Sequence, residues 1–189
     1  MIKKFKLPAK ANLKSRTSTI NNAFAIAITP YIYPSSDEIE SFLKELHLEY
    51  GQCAYCLGKA NAMDHVKPLV TGGLPTGYIT EIRNLVPCCT ACNSAKGGQD
   101  FKSWYKSEKN VKRLLSEGLT DDQINERFTI VSNYVDKIPK PIDYKEILGD
   151  KLWNEYLNRK EEMTNLLKEN QMFCDKLNAI IKAKINSEN

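Results

Sequence analysis

The chain has 189 residues, enough for one domain of ordinary size or a small module with helical elaborations. Its 42% hydrophobic and 26% charged content argues against a disordered chain, and its longest apolar run, 23–29, falls far short of the roughly 18 residues of a membrane span. The net charge of +4 is small but unevenly placed: Lys3, Lys4, Lys6, Lys10, Lys14 and Arg16 precede the first acidic residue, a basic arm that suits a polyanion and equally suits a solvated terminus.

No membrane partner and a cytoplasmic location are therefore expected, and three regions separate by pattern. Residues 1–50 read as the basic arm followed by helices, one over the apolar segment 20–28 and one over 37–47, with Pro30 and Pro34 between them. The second helix carries a capping box, because Ser35 can accept from the backbone three residues on while Glu38 reaches back. Residues 51–107 read as loop, strand, loop, strand, helix. The strands fall near 62–66 and 82–87, separated by a turn-rich stretch with Gly72, Gly73, Pro75 and Gly77, and a helix starts within 89–92 and stops at Gly97 and Gly98. Residues 108–189 read as helical: Thr120, Asp121, Asp122 and Gln123 make a helix start, Pro139 and Pro141 break that helix, and a long amphipathic helix occupies 151–185. Its apolar positions, Leu152, Tyr156, Met163, Leu167, Cys174, Leu177, Ile181 and Ile185, recur mainly at three- and four-residue steps, which fits packing on its own domain or a dimer contact.

Five of the six cysteines fall in one short stretch. Cys53 and Cys56 form one C-x-x-C and Cys89 and Cys92 another, a pattern that in a reducing compartment reads as metal ligation, not disulfides or redox chemistry. Two such turns supply the four thiolates that a tetrahedral zinc takes, and with all four positions filled the ion is structural. Cys88 could replace Cys89, but only Cys89 keeps the two-residue gap to Cys92, so Cys88 is expected to be a buried thiol. Cys174 stands apart and is expected to be a buried small hydrophobe.

Between the knuckles lie polar residues that a zinc ribbon does not require. Asp64 and His65 end the first predicted strand, Asn84 sits in the second, and Asn93 directly follows the last zinc ligand. The segments DHVKP (64–68), GG (72–73) and RNLVPCCTACNSAKGG (83–98) resemble the signature of HNH (ββα-metal) endonucleases in their four-cysteine zinc-knuckle form. The resemblance covers about residues 51–107 and is similar to that of small HNH type II restriction enzymes.

The resemblance implies an α+β fold, a ββα-metal module with a structural zinc flanked by N-terminal and C-terminal helices. It implies His65 as general base, Asp64 and Asn93 as holders of a catalytic divalent cation, and Asn84 as the residue that orders the loop and positions the histidine. The last motif residue is often histidine in this family and is asparagine here, which leaves the preferred metal open and the reaction class in place. Oxygen donors suit Mg2+ or Mn2+, and histidine is the side chain that accepts a proton near neutral pH. The other histidine, His47, lies on a predicted helix with no partner motif and reads as structural.

The expected substrate is double-stranded DNA, cut by a site-specific, restriction-like enzyme acting as a homodimer, with no small-molecule cofactor. Lys67, Arg83, Lys96 and Lys102 cluster around the motif as candidate phosphate contacts, whereas Trp104 and Tyr105 read as core. A homing or nicking HNH nuclease fits the same residues, and a noncatalytic zinc-stabilised nucleic-acid-binding module is the alternative from another class.

Overall fold

The computed structural model describes residues 12–187, so Lys3, Lys4, Lys6 and Lys10 of the basic arm lie outside the described residues. The chain divides into two compact units, Ile28–Asp143 and the segments on either side of it. The fold is α+β, as the resemblance implied.

In the central unit, α2 (Ser36–Glu45) begins at the expected capping box: the Ser35 hydroxyl accepts from the Glu38 amide, and the Glu38 carboxylate accepts from the Ser35 amide at 2.8 Å. The helix stops two residues short of the sequence expectation, because Leu46 caps it and His47 turns left-handed at φ 49°, leaving the imidazole exposed. Strand β1 (Ala62–His65) pairs antiparallel with β4 (Leu85–Cys88), Asp64 opposite Val86 and His65 opposite Leu85. Between them runs a loop holding the two-residue strands β2 (Val70–Thr71) and β3 (Leu74–Pro75). The second sequence-predicted strand starts later than expected, since Ile82–Asn84 coils into a 3-10 turn closed by the Asn84 amide on the Glu81 carbonyl.

Helix α3 (Thr90–Lys96) follows β4 at once and ends at Gly97, completing the ββα order, with α4 (Phe101–Tyr105), α5 (Glu108–Ser116) and α6 (Asp121–Val135) behind it. The second capping box, Thr120 with Gln123, starts α6. Tyr55, Phe101, Trp104, Tyr105 and Phe128 form a continuous aromatic core with ring centroids 5.0–6.5 Å apart, so Trp104 and Tyr105 are core residues. Gly77 anchors the long loop: its φ is +89°, its carbonyl accepts from the Ile142 amide at 2.9 Å, and a Cβ there would lie 2.2 Å from the Ile142 oxygen. Only glycine meets both the backbone angle and that close approach.

The second unit pairs α1 (Thr17–Ala27) with α7 (Tyr144–Ser187), the latter interrupted at Gly149 (φ 73°, ψ 162°). Phe24 lies against Tyr156 at 5.1 Å, and the Leu13 amide reaches the Gln171 side chain at 2.6 Å. Towards the end of α7, Met172, Phe173, Leu177, Ile180, Ile181 and Ile185 are all exposed. Cys174 is exposed with them, contrary to its sequence expectation. Among the described residues no helix is long and apolar enough to cross a membrane.

Candidate active site and metal centre

Two tight turns bring Cys53, Cys56, Cys89 and Cys92 together, their four Sγ atoms all within 4.8 Å of one another. A tetrahedral zinc with bonds of about 2.3 Å requires sulfurs about 3.8 Å apart, and Cys56 Sγ lies 3.8 Å from Cys89 Sγ. The donor set and its spacing therefore suit zinc. Cys89 also caps α3, its sulfur accepting from the Cys92 amide, so the knuckle and the helix start are one feature. Cys88 is fully buried outside this group, and burial pushes its thiol up to about 12, which keeps it protonated.

The knuckle is braced from beyond the ββα segment. Arg113 on α5 donates to Cys92 Sγ at 3.3 Å, a cation set against a sulfur that would be a thiolate as a zinc ligand. Arg127 on α6 is buried, donating to the Ala54 carbonyl at 3.1 Å and the Leu46 carbonyl at 2.8 Å. Neither arginine stands out in the sequence, since each occupies an ordinary-looking position on an amphipathic helix.

Asp64 is buried on β1. Its Oδ2 accepts from the Tyr55 hydroxyl at 2.6 Å and from Lys96 Nζ at 3.0 Å. Among the described residues no hydrogen bond reaches Asp64 Oδ1 or the Asn93 side chain, so one carboxylate oxygen and one amide oxygen are left for a ligand. Both are hard donors of the kind magnesium and manganese prefer. Tyr55 lies between Cys53 and Cys56, so the zinc knuckle itself presents the hydroxyl that orients Asp64.

Lys96 is 1% exposed, and its ammonium is spent on Asp64 Oδ2, the His65 carbonyl at 3.0 Å and the Gly97 carbonyl at 3.4 Å. This corrects its expectation as a phosphate contact: a buried, fully bonded ammonium has no donor to offer DNA. The signal was present in the spacing, because Lys96 sits four residues after the buried ligand Cys92 and so on the same inward face of α3.

His65 ends β1 half-buried, with Nε2 2.9 Å from Thr80 Oγ1 and no protein partner on Nδ1 among the described residues. Burial, assisted by the nearby Lys96 charge and opposed by Asp64, holds its pKa below the usual histidine value, which favours the neutral ring. Asn84 is buried beneath the loop, its Oδ1 accepting from the Lys67 amide at 2.8 Å and its Nδ2 donating to the carbonyls of Lys67 and Ile79, both at 3.1 Å. It fastens both ends of the segment leading from His65 round to Thr80. Thr80 escaped sequence reasoning because it sits in a turn-rich stretch with no motif around it.

The other three candidate phosphate contacts lie at the surface on carboxylates of their own fold: Arg83 on Glu45 at 2.7 Å, Lys102 on Asp136 at 2.7 Å and Lys67 on Asp100 at 3.7 Å.

A two-stranded antiparallel pair, a following helix and a four-cysteine cluster of zinc-binding geometry define a ββα module. Residues 53–99 match the family model for the HNH endonuclease, and this stretch of the chain is an HNH domain, as the resemblance implied. No curated protein matches the sequence. Among solved structures, the Type II-C Cas9 enzyme from Actinomyces naeslundii matches over 59% of this chain at 19% identity and a TM-score of 0.30. The matched region spans 14% of that enzyme, a likeness too distant to add to the geometry above.

Proposed function

We propose that the chain is an endonuclease that hydrolyses phosphodiester bonds in double-stranded DNA, with His65 as the general base. The observation that carries this reading is the pairing of His65 Nε2 with Thr80, which leaves Nδ1 without a protein partner among the described residues, in the same module as an Asp64 Oδ1 and an Asn93 side chain that no hydrogen bond reaches. With Thr80 Oγ1 accepting from Nε2–H, Nδ1 holds the lone pair. It takes a proton from water as the water oxygen bonds to phosphorus and the P–O3′ bond breaks. Asp64 Oδ1 and the Asn93 amide oxygen would hold a divalent cation, Mg2+ or Mn2+, which when bound would supply charge neutralisation at the phosphate and the departing oxygen. Asn84 fixes the loop that keeps Thr80 under the imidazole. Zinc on Cys53, Cys56, Cys89 and Cys92 is structural.

Arg83, Lys67 and Lys102 serve as phosphate contacts by exchanging partners, at little cost because exposed ion pairs contribute about 0–1 kcal/mol. A restriction-like enzyme cutting both strands requires two sites, and the exposed apolar side chains late in α7 offer a face for a second copy. The noncatalytic binding module is favoured by one observation, the neutralisation of Asp64 by Lys96, which a carboxylate without a metal would need.

The test is digestion of long unmethylated DNA with Mg2+ or Mn2+, with and without EDTA, by the wild-type chain and His65→Ala. Fragments with a shared end sequence that disappear in EDTA and with His65→Ala support the site-specific nuclease; a smear supports a nonspecific one. DNA bound but intact supports the binding module. Sedimentation of the free protein reads the dimer.

A further inference from the structure

The extended segment between α1 and α2 carries Tyr31, Ile32 and Tyr33, three consecutive large apolar residues that are all exposed. It is held in place by a parallel bridge between Tyr31 and Thr80: the Thr80 amide donates to the Pro30 carbonyl at 3.1 Å and the Ile32 amide donates to the Thr80 carbonyl at 2.8 Å. Residues paired across such a bridge project on the same side, and successive residues of an extended segment alternate sides. Tyr31 and Tyr33 therefore share the side of Thr80, whose hydroxyl holds His65, while Ile32 and Pro34 take the opposite side and line a groove with Glu81, Asp37 and Glu38. One side of the strap borders that groove, which also holds Arg83; the other carries two rings on the side of Thr80.

Those rings touch each other with centroids 4.4 Å apart, and neither hydroxyl has a hydrogen-bond partner among the described residues. Tyr31 is 58% and Tyr33 81% exposed, so the pair contributes little to the core and spends apolar surface on solvent. We propose that Tyr31 and Tyr33 form an apolar platform on which a deoxyribose of the DNA strand packs, next to the phosphate that His65 addresses. The inference rests on the nuclease reading and adds a contact to it: the strap grips the substrate through ring faces while the charged residues grip phosphate. Aromatic rings suit this partner because a deoxyribose at the edge of a duplex presents C–H groups that pack on ring faces, whereas the base faces of a duplex are covered by their neighbours.

The test measures binding of a labelled duplex by fluorescence anisotropy across a salt series, in the His65→Ala background to prevent cleavage. Tyr31→Ala with Tyr33→Ala is expected to weaken binding by about 10-fold, while Tyr31→Phe with Tyr33→Phe stays within about 3-fold because the ring face is kept. The salt dependence is expected not to change, since no phosphate contact is removed. In the active background the alanine pair raises KM with kcat held. Equal affinity for the alanine pair and its parent, equal losses for alanine and phenylalanine, or a shallower salt slope would each overturn the platform. If the wild-type chain cuts DNA while the alanine pair is unimpaired, the platform alone fails; if the wild-type chain neither binds nor cuts, the nuclease reading fails and takes the platform with it.

Discussion

Replacing Lys96 by methionine separates a structural from a superficial role for the ammonium beside Asp64. The side chain keeps its length and loses its charge, leaving the carboxylate buried with Tyr55 as sole donor to Oδ2 and the carbonyls of His65 and Gly97 without their acceptor bonds. Breaking a buried pair by removing one partner costs about 3–5 kcal/mol, because the remaining charge stays out of water. Against a whole-domain stability of about 5–15 kcal/mol, that is about a fifth or more of the total. It corresponds to a drop in Tm of roughly 10–20 °C for a domain of this size. Urea unfolding of zinc-loaded protein, followed by circular dichroism, measures it. Adding Asp64→Asn to Lys96→Met removes the stranded charge and is expected to recover about half of the loss. A single variant that loses less than about 1 kcal/mol, or a double variant that falls as far as the single, would refute the reasoning.

Thr80→Val removes the acceptor that orients His65 without touching the imidazole; kcat is expected to fall about 10-fold, with zinc content and DNA affinity unchanged and Thr80→Ser restoring activity. Cys53→Ala, or chelation of the wild-type chain, is expected to lose one zinc per chain by elemental analysis and to abolish cooperative melting of the central unit. Gly77→Ala combines a left-handed angle with a collision on the Ile142 carbonyl and should cost more than about 2 kcal/mol in denaturant unfolding, whereas Gly72→Ala, also left-handed but with nothing within 4 Å, should cost about 1 kcal/mol. Lys137, and after it Arg83, hold the Glu45 carboxyl below its usual range against the opposing effect of burial. Its stabilising contribution is complete above the unfolded value of about 4.3 and disappears as pH falls through the lower folded value, so Glu45→Gln should flatten the acid side of the stability profile measured from pH 6 to 3.

The knuckle spacing, the adjacency of Asp64 and His65, the Ser35 capping box and the helix start at Thr120 were legible in the sequence because each depends on residues close together in the chain. Thr80 and Lys96 were not, for different reasons. Thr80 meets His65 only because Asn84 and Gly77 fold the intervening loop back, a consequence of tertiary hydrogen bonding that no local pattern announces. Lys96 defied the general rule that lysine stays in water, and its partner lies on a strand 32 residues earlier. Arg127 is the same case on α6, an inward-facing cation whose acceptors are knuckle and turn carbonyls. Cys174 failed in the other direction: periodicity marks a face as apolar without saying what covers it.

The bracing of the knuckle bears on how this HNH module could be moved between proteins. Residues 53–99 hold the whole motif, yet Tyr105 donates to the Tyr55 carbonyl at 2.8 Å, Arg113 to Cys92 Sγ and Arg127 to the Ala54 carbonyl. A graft cut at the motif's edge would carry the ligands and leave behind the groups that hold their backbone. The transplantable cassette is instead Ile28–Asp143, and α5 and α6 travel with the chemistry as its keystones.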